Sequence, residues 1–146
     1  MKNFYDLPDT DQIKINLDLC VEPMFAEAGP HCQIIINNVC LFDDRLMNEK
    51  TFETELGLLD SLTLSITLKN KNYKTSPSTA ILVKSLKLDN FNLIPMWLKD
   101  VTYDNDHHYD KITTHLGFNG TWKLKIPEPF YLWKHKITGQ GWLLHP

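Results

Sequence analysis

Apolar side chains recur at every second position through most of this chain. Ile13, Ile15, Leu17, Leu19 and Val21 alternate with Lys14, Asn16, Asp18, Cys20 and Glu22. A period of two places one set on each side of an extended strand. Leu62, Leu64, Ile66 and Leu68 share one face, as do Phe52, Thr54, Leu56 and Leu58. A three-residue loop of Leu59, Asp60 and Ser61 would pair Leu58 with Leu62 and bring these faces into agreement. Gln33 to Phe42 reads as a hairpin turning at Asn37-Asn38, because asparagine tolerates positive φ. Its apolar residues fall on both faces, which predicts strands covered on both sides. Ala80 to Leu88 is a further strand, continuing to Leu93 after a bend at Asp89-Asn90. Trp122, Leu124 and Ile126 oppose Thr121, Lys123 and Lys125 in a half-buried strand over 120–126. Short strands are expected at 113–118 and 129–136, the latter aromatic. Residues 70–79 and 99–110 read as polar loops, the second acidic and aromatic.

The spacing predicts eight or nine strands at intervals of roughly ten residues and no long helix, the pattern of an all-β fold. The expected architecture is a single-domain antiparallel β-sandwich. A jelly roll is the leading topology and an immunoglobulin-like Greek key the second. Residues 1–12 form a loose N-terminal arm, 13–137 the sandwich, and 138–146 a C-terminal docking tail. At 146 residues one such domain can bury roughly 70% of its unfolded surface and needs no covalent staple.

Charge narrows the partners. The net charge is −3, and Arg45 is the sole arginine. Arginine dominates phosphate and guanine recognition, so its scarcity argues against nucleic acid. No apolar run reaches the roughly 20 residues of a membrane span. The N-terminus has no apolar core of a signal peptide, so synthesis in a reducing cytosol with free thiols is expected. The three cysteines are Cys20, Cys32 and Cys40. The turn at Asn37-Asn38 sets Cys40 opposite Ile35 rather than Cys32, which opposes a disulfide.

Candidate chemistry gathers late in the chain. Asp104, Asp106 and Asp110 are spaced so that one flexible loop could offer several oxygens to a hard cation, calcium or magnesium. A solvated polar loop is the competing reading. His107, His108, Asp110 and His115 could together hold zinc or iron, although adjacent histidines point apart on extended backbone. No nucleophile–base order and no paired carboxylates mark a hydrolase. Tyr103, Tyr109, Trp97 and Trp133 supply flat rings with polar handles, suited to stacking on sugars. Core packing is the competing role for each. Trp142, Leu143 and Leu144 follow two glycines, and an apolar tail of this kind needs a partner surface.

Two segments carry a resemblance: Ile34 to Phe42, and Leu116 to Trp122 with Pro129 to Trp133. They resemble motifs in a group of small, mostly uncharacterised β-sandwich proteins of marine T4-like cyanophages. In that group an apolar-Asn-Gly-apolar-Phe hairpin precedes a late Phe-Asn-Gly-Thr and a Pro-Phe-Tyr-Leu-Trp run. Here Asn38 stands where a turn glycine is usual. The group is similar in outline to calcium-dependent carbohydrate-binding modules, which are jelly rolls. The resemblance spans residues 30–134 and brings no catalytic residues. It implies a non-enzymatic phage structural or accessory module, in the virion or the host cytoplasm. Its partners would be other phage or virion proteins or a surface glycan. The alternatives are a small metal-dependent enzyme on a cupin-like jelly roll and an oligomeric decoration protein.

Overall fold

The computed structural model describes residues 14–26, 28–57, 59–89, 91–94, 100–111, 113–127, 129–130 and 132. The expected arm at 1–12 and docking tail at 138–146, with Trp142, Leu143 and Leu144, lie outside the described residues, as do Trp97 and Trp133. Ten strands are described: β1 (Lys14–Met24), β2 (His31–Ile36), β3 (Val39–Arg45), β4 (Lys50–Gly57), β5 (Leu62–Lys69), β6 (Ala80–Leu88), β7 (Phe91–Asn92), β8 (Val101–Asn105), β9 (His115–Leu116) and β10 (Gly120–Ile126). They form two antiparallel sheets. The first runs β4-β1-β6-β7, with β9 also on β6; the second runs β3-β2-β5-β10-β8.

The period-two pattern places the core. Ile15, Leu17, Leu19 and Val21 on β1 join Ile34, Leu64, Ile66, Trp122 and Leu124 of the other sheet in one buried cluster. Burial of such side chains stabilises by about 1.5–3 kcal/mol each. Trp122 keeps its indole N–H satisfied by donating to the Thr113 carbonyl at 2.8 Å, which an inward tryptophan needs. In β6 the apolar phase slips between Val83 and Leu86. The ladder slips there too: Cys20 pairs with Ser85 but Val21 with Val83. The extra residue, Lys84, makes a bulge and turns its side chain outward, where its ammonium pairs with Glu49.

The antiparallel sandwich is as expected, two sheets of five strands facing one core. Within it β1 lies between β4 and β6, while β2 pairs with β3 and β5. The hairpin of β2 and β3 sits in one sheet and β4 returns beside β1 in the other. The hairpin register follows the sequence: Asn37 and Asn38 have φ of 48° and 68°, and Ile35 pairs with Cys40.

Four local expectations are corrected. β4 and β5 do not form a hairpin; β4 pairs with β1 and β5 with β2 and β10. Both strands turn their apolar faces to one core, so the matching faces were real and the inferred pairing was not. β3 is not covered on both sides: none of its residues is buried, and Val39 is 59% exposed. Residues 101–105 are a strand paired with β10, whereas 113–118 contain only the two-residue β9. The expected aromatic strand at 129–136 does not continue β10 at its described residues. Phe130 and Leu132 are helical. Leu132 N–H donates to the Pro129 carbonyl at 2.9 Å, and Phe130 N–H donates to the Asp60 carbonyl at 2.8 Å. Phe130 is fully buried; the flanking prolines cannot donate to a ladder and end the strand.

Candidate functional site

Three connections meet beside the Gly120 end of β10: β5–β6, β8–β9 and β9–β10. Asn105, the last residue of β8, organises them. It is 6% exposed, and a buried amide must find partners. Its side-chain N–H groups donate to the carbonyls of Tyr103 at 2.9 Å and Tyr109 at 2.8 Å. Its side-chain oxygen accepts from the N–H groups of His107 at 3.1 Å and Tyr109 at 3.0 Å. One side chain therefore closes the 106–109 turn, in which His108 takes a φ of 52°.

Asn119 does the same between connections. Its amide exchanges two bonds with the Lys71 backbone, N–H to Oδ1 at 2.8 Å and Nδ2 to the carbonyl at 2.9 Å. Its own N–H donates to the Tyr73 hydroxyl at 2.8 Å, and its carbonyl accepts from Asp106 N–H at 3.0 Å. Gly120 lets β10 approach β8: a Cβ there would lie 2.2 Å from the Asp104 carbonyl oxygen and 2.6 Å from Asn105 Cα. Phe118 stacks on His107, ring centres 4.4 Å apart at 18°, with Tyr73 edge-on to His107 at 4.5 Å. The Phe118-Asn119-Gly120-Thr121 motif is thus scaffolding for the loop end.

The tyrosines divide. The Tyr103 hydroxyl donates to the Phe118 carbonyl at 2.6 Å and accepts from Phe118 N–H at 3.0 Å. Burial pushes its pKa up to about 12. It is a bolt between β8 and the β9–β10 connection. Tyr109 is 37% exposed and lines two clefts. One, of about 400 Å³, also carries Asp104, His108, Asp110 and Lys111. The other, also about 400 Å³, carries Lys71, His115, Gly117 and Phe118.

The three aspartates divide as well. Asp104 and Asp110 border the first cleft. The Asp106 carboxylate instead accepts from the Tyr73 hydroxyl at 2.5 Å and from His107 Nδ1 at 2.7 Å. Against a burial effect that raises it, those bonds hold the Asp106 carboxyl below the usual carboxylate range. Burial, then the bond to Asp106, raises the Tyr73 phenol. Of the four candidate zinc or iron ligands, His107 is stacked on Phe118, His108 and Asp110 line one cleft, and His115 lines the other. Among the described residues, no three His, Cys, Asp or Glu side chains gather around a common point.

Sequence reasoning missed Asn105, Asn119 and Tyr73. Only Asn105 had a signal: Val101, Tyr103 and Asn105 alternate with Thr102 and Asp104, a short strand hidden by its acidity. The thiols offer no chemistry to the site. Cys32 is buried, and burial with the nearby Asp43 pushes its pKa up to about 12; Cys20 and Cys40 are also free. Among the described residues no helix is long and apolar enough to cross a membrane. No family model matches the chain, and neither does any curated protein or solved structure, so the residues themselves carry the functional argument.

Proposed function

We propose that this protein is a non-enzymatic interaction module that binds carbohydrate at its loop end, with Tyr109 as the stacking ring. The observation that carries this reading is the position of Tyr109, exposed and bordering both clefts. A sugar presents an apolar face to a ring and hydroxyls around its rim. Asp104, His108, Asp110 and Lys111 on one side and Lys71 and His115 on the other suit those hydroxyls. A platform already ordered by Asn105 and Asn119 loses little freedom on binding. Calcium, held by Asp104 and Asp110, is the candidate ion for this site. The metal-dependent enzyme finds less support, because its candidate ligands are divided between a stacked ring and two clefts.

On the sequence resemblance we propose further that this module is a phage structural or accessory component, its partner a surface glycan or another virion protein. The edge of β3, unpaired among the described residues and with Val39 exposed, is where a protein partner or a second copy would add a strand. Retention on insoluble polysaccharides and a glycan array, with calcium and with chelator, tests the sugar reading. Wild-type protein is expected to be retained, and Tyr109→Ala to be released with an unchanged circular-dichroism spectrum. Equal retention of Tyr109→Ala, or no retention of wild type in either condition, would contradict it.

A further inference from the structure

A separate pocket, of about 260 Å³, lies where the β1–β2 and β5–β6 connections meet the ends of β2, β3 and β5. His31, Arg45, Lys69 and Lys71 line it, with the hydroxyl residues Thr75, Ser76 and Thr79. Among the described residues no carboxylate lines it, in a chain whose 18 acidic residues outnumber its 15 Lys and Arg. Its sole arginine is here.

Register makes the clustering deliberate. His31 pairs across the ladder with Arg45 on one side and with Lys69 on the other. Three basic groups thus stand in one cross-strand row, an arrangement that opposes folding unless something offsets it. Asp43, two residues from Arg45 along β3 and so on the same face, offsets part of it: its carboxylate accepts from His31 Nε2 at 2.8 Å and Lys69 Nζ at 3.1 Å. Arg45 Nη1 donates to the Gly29 carbonyl at 2.7 Å, which aims a guanidinium whose other N–H groups meet no acceptor among the described residues. Ser76 is the second, independent pointer. It is 8% exposed, yet its hydroxyl makes no hydrogen bond among the described residues, although its backbone N–H donates to the Asn72 carbonyl at 2.8 Å. A hydroxyl buried at a pocket wall without a partner is costly to keep unless a ligand completes it.

We infer that this pocket is a binding site for a compact tetrahedral oxyanion, phosphate or sulfate, free or carried as a monoester on a sugar. Arg45 and Lys69 supply charge-assisted donors, and Ser76 supplies a neutral one. The site does not depend on Tyr109; among the described residues Lys71 alone lines both it and the second Tyr109 cleft, so a sugar monoester could extend from one toward the other.

Isothermal titration calorimetry at ionic strength held constant with chloride tests it, using inorganic phosphate, inorganic sulfate, glucose 6-phosphate, glucose 6-sulfate and glucose. Saturable one-site binding of the anions is expected, and none of glucose at this site. Arg45→Gln should weaken the anions by about tenfold or more, the loss expected for a charged hydrogen bond. Ser76→Ala should weaken them less. Lys87→Gln, which removes the same charge from the outer face of the other sheet, should leave them unchanged. A monoester that binds more tightly than the inorganic ion assigns the site to a modified sugar; equal affinity assigns it to the free ion. The inference is overturned if no anion gives saturable binding, or if folded Arg45→Gln binds as wild type does.

Discussion

Trp122 and Asn105 are both buried on the same pair of neighbouring strands, and they are held by different physics. Trp122 pairs with Tyr103 in the ladder, and Asn105 pairs with Gly120. Trp122 is inside because apolar area leaves water, and its one polar atom needs a single acceptor. Asn105 is inside because the surrounding backbone supplies a partner for each atom of its amide. Within a few residues the molecule passes from a core that tolerates any well-packed apolar set to a loop end that depends on directed bonds. A core is robust and chemically silent. A hydrogen-bonded loop end is less forgiving but can hold Tyr109 in water at a fixed place.

Substitutions can sharpen or break that contrast. The largest effect is expected for Trp122→Ala, which should cost about 3–5 kcal/mol of stability through lost burial and a cavity, read from urea denaturation. Gly120→Ala should come next, at about 1–3 kcal/mol, because its Cβ would strike the β8 backbone. Asn105→Ala should cost about 1–3 kcal/mol by stranding the groups its amide satisfies. If it cost as much as Trp122→Ala, the loop end would be part of the core and the distinction would fail.

Smaller still is the acid limb of the stability curve. The folded Asp106 carboxyl titrates below its unfolded value, so its contribution is complete above that unfolded value, about pH 3.9. It is lost as pH falls through the lower folded value. Asp106→Asn should flatten this part of the pH profile only slightly, because the group is largely exposed and screened. Asp43, held low by His31 and then Lys69, contributes in the same direction. The smallest effect on stability is expected for Tyr109→Ala, within about 0.5 kcal/mol, since the exposed ring supports little.

The contrast also explains what was legible in the residues. Leu17, Leu64 and Trp122 announce themselves by alternation, so the all-β class and most strands follow from pattern alone. Alternation states which side is buried but not which strand lies alongside, and for that reason β4 and β5 looked like a hairpin. The loop end follows no period. Asn119 meets Lys71 across 48 residues, and Tyr73 meets Asp106 across 33; nothing local in either segment names its partner. Tyr103 and Tyr109 read alike as candidate stacking rings, yet the phase of β8 turns Tyr103 into a bolt and the turn that follows the strand leaves Tyr109 partly in solvent. The anion pocket was hidden for the same reason. Arg45, His31 and Lys69 are scattered in sequence, and only the ladder brings them side by side.

Hydrogen exchange at single-residue resolution, on wild type and Asn105→Ala, tests most directly whether one buried amide holds the loop end. The wild-type N–H groups of His107 and Tyr109, both bonded to the Asn105 side chain, should be protected. In the variant they should exchange freely while Ile66 and Trp122 in the β5–β10 ladder keep their protection. Equal exchange of His107 and Tyr109 in both proteins would contradict the account, and so would a loss of protection spread through β5 and β10.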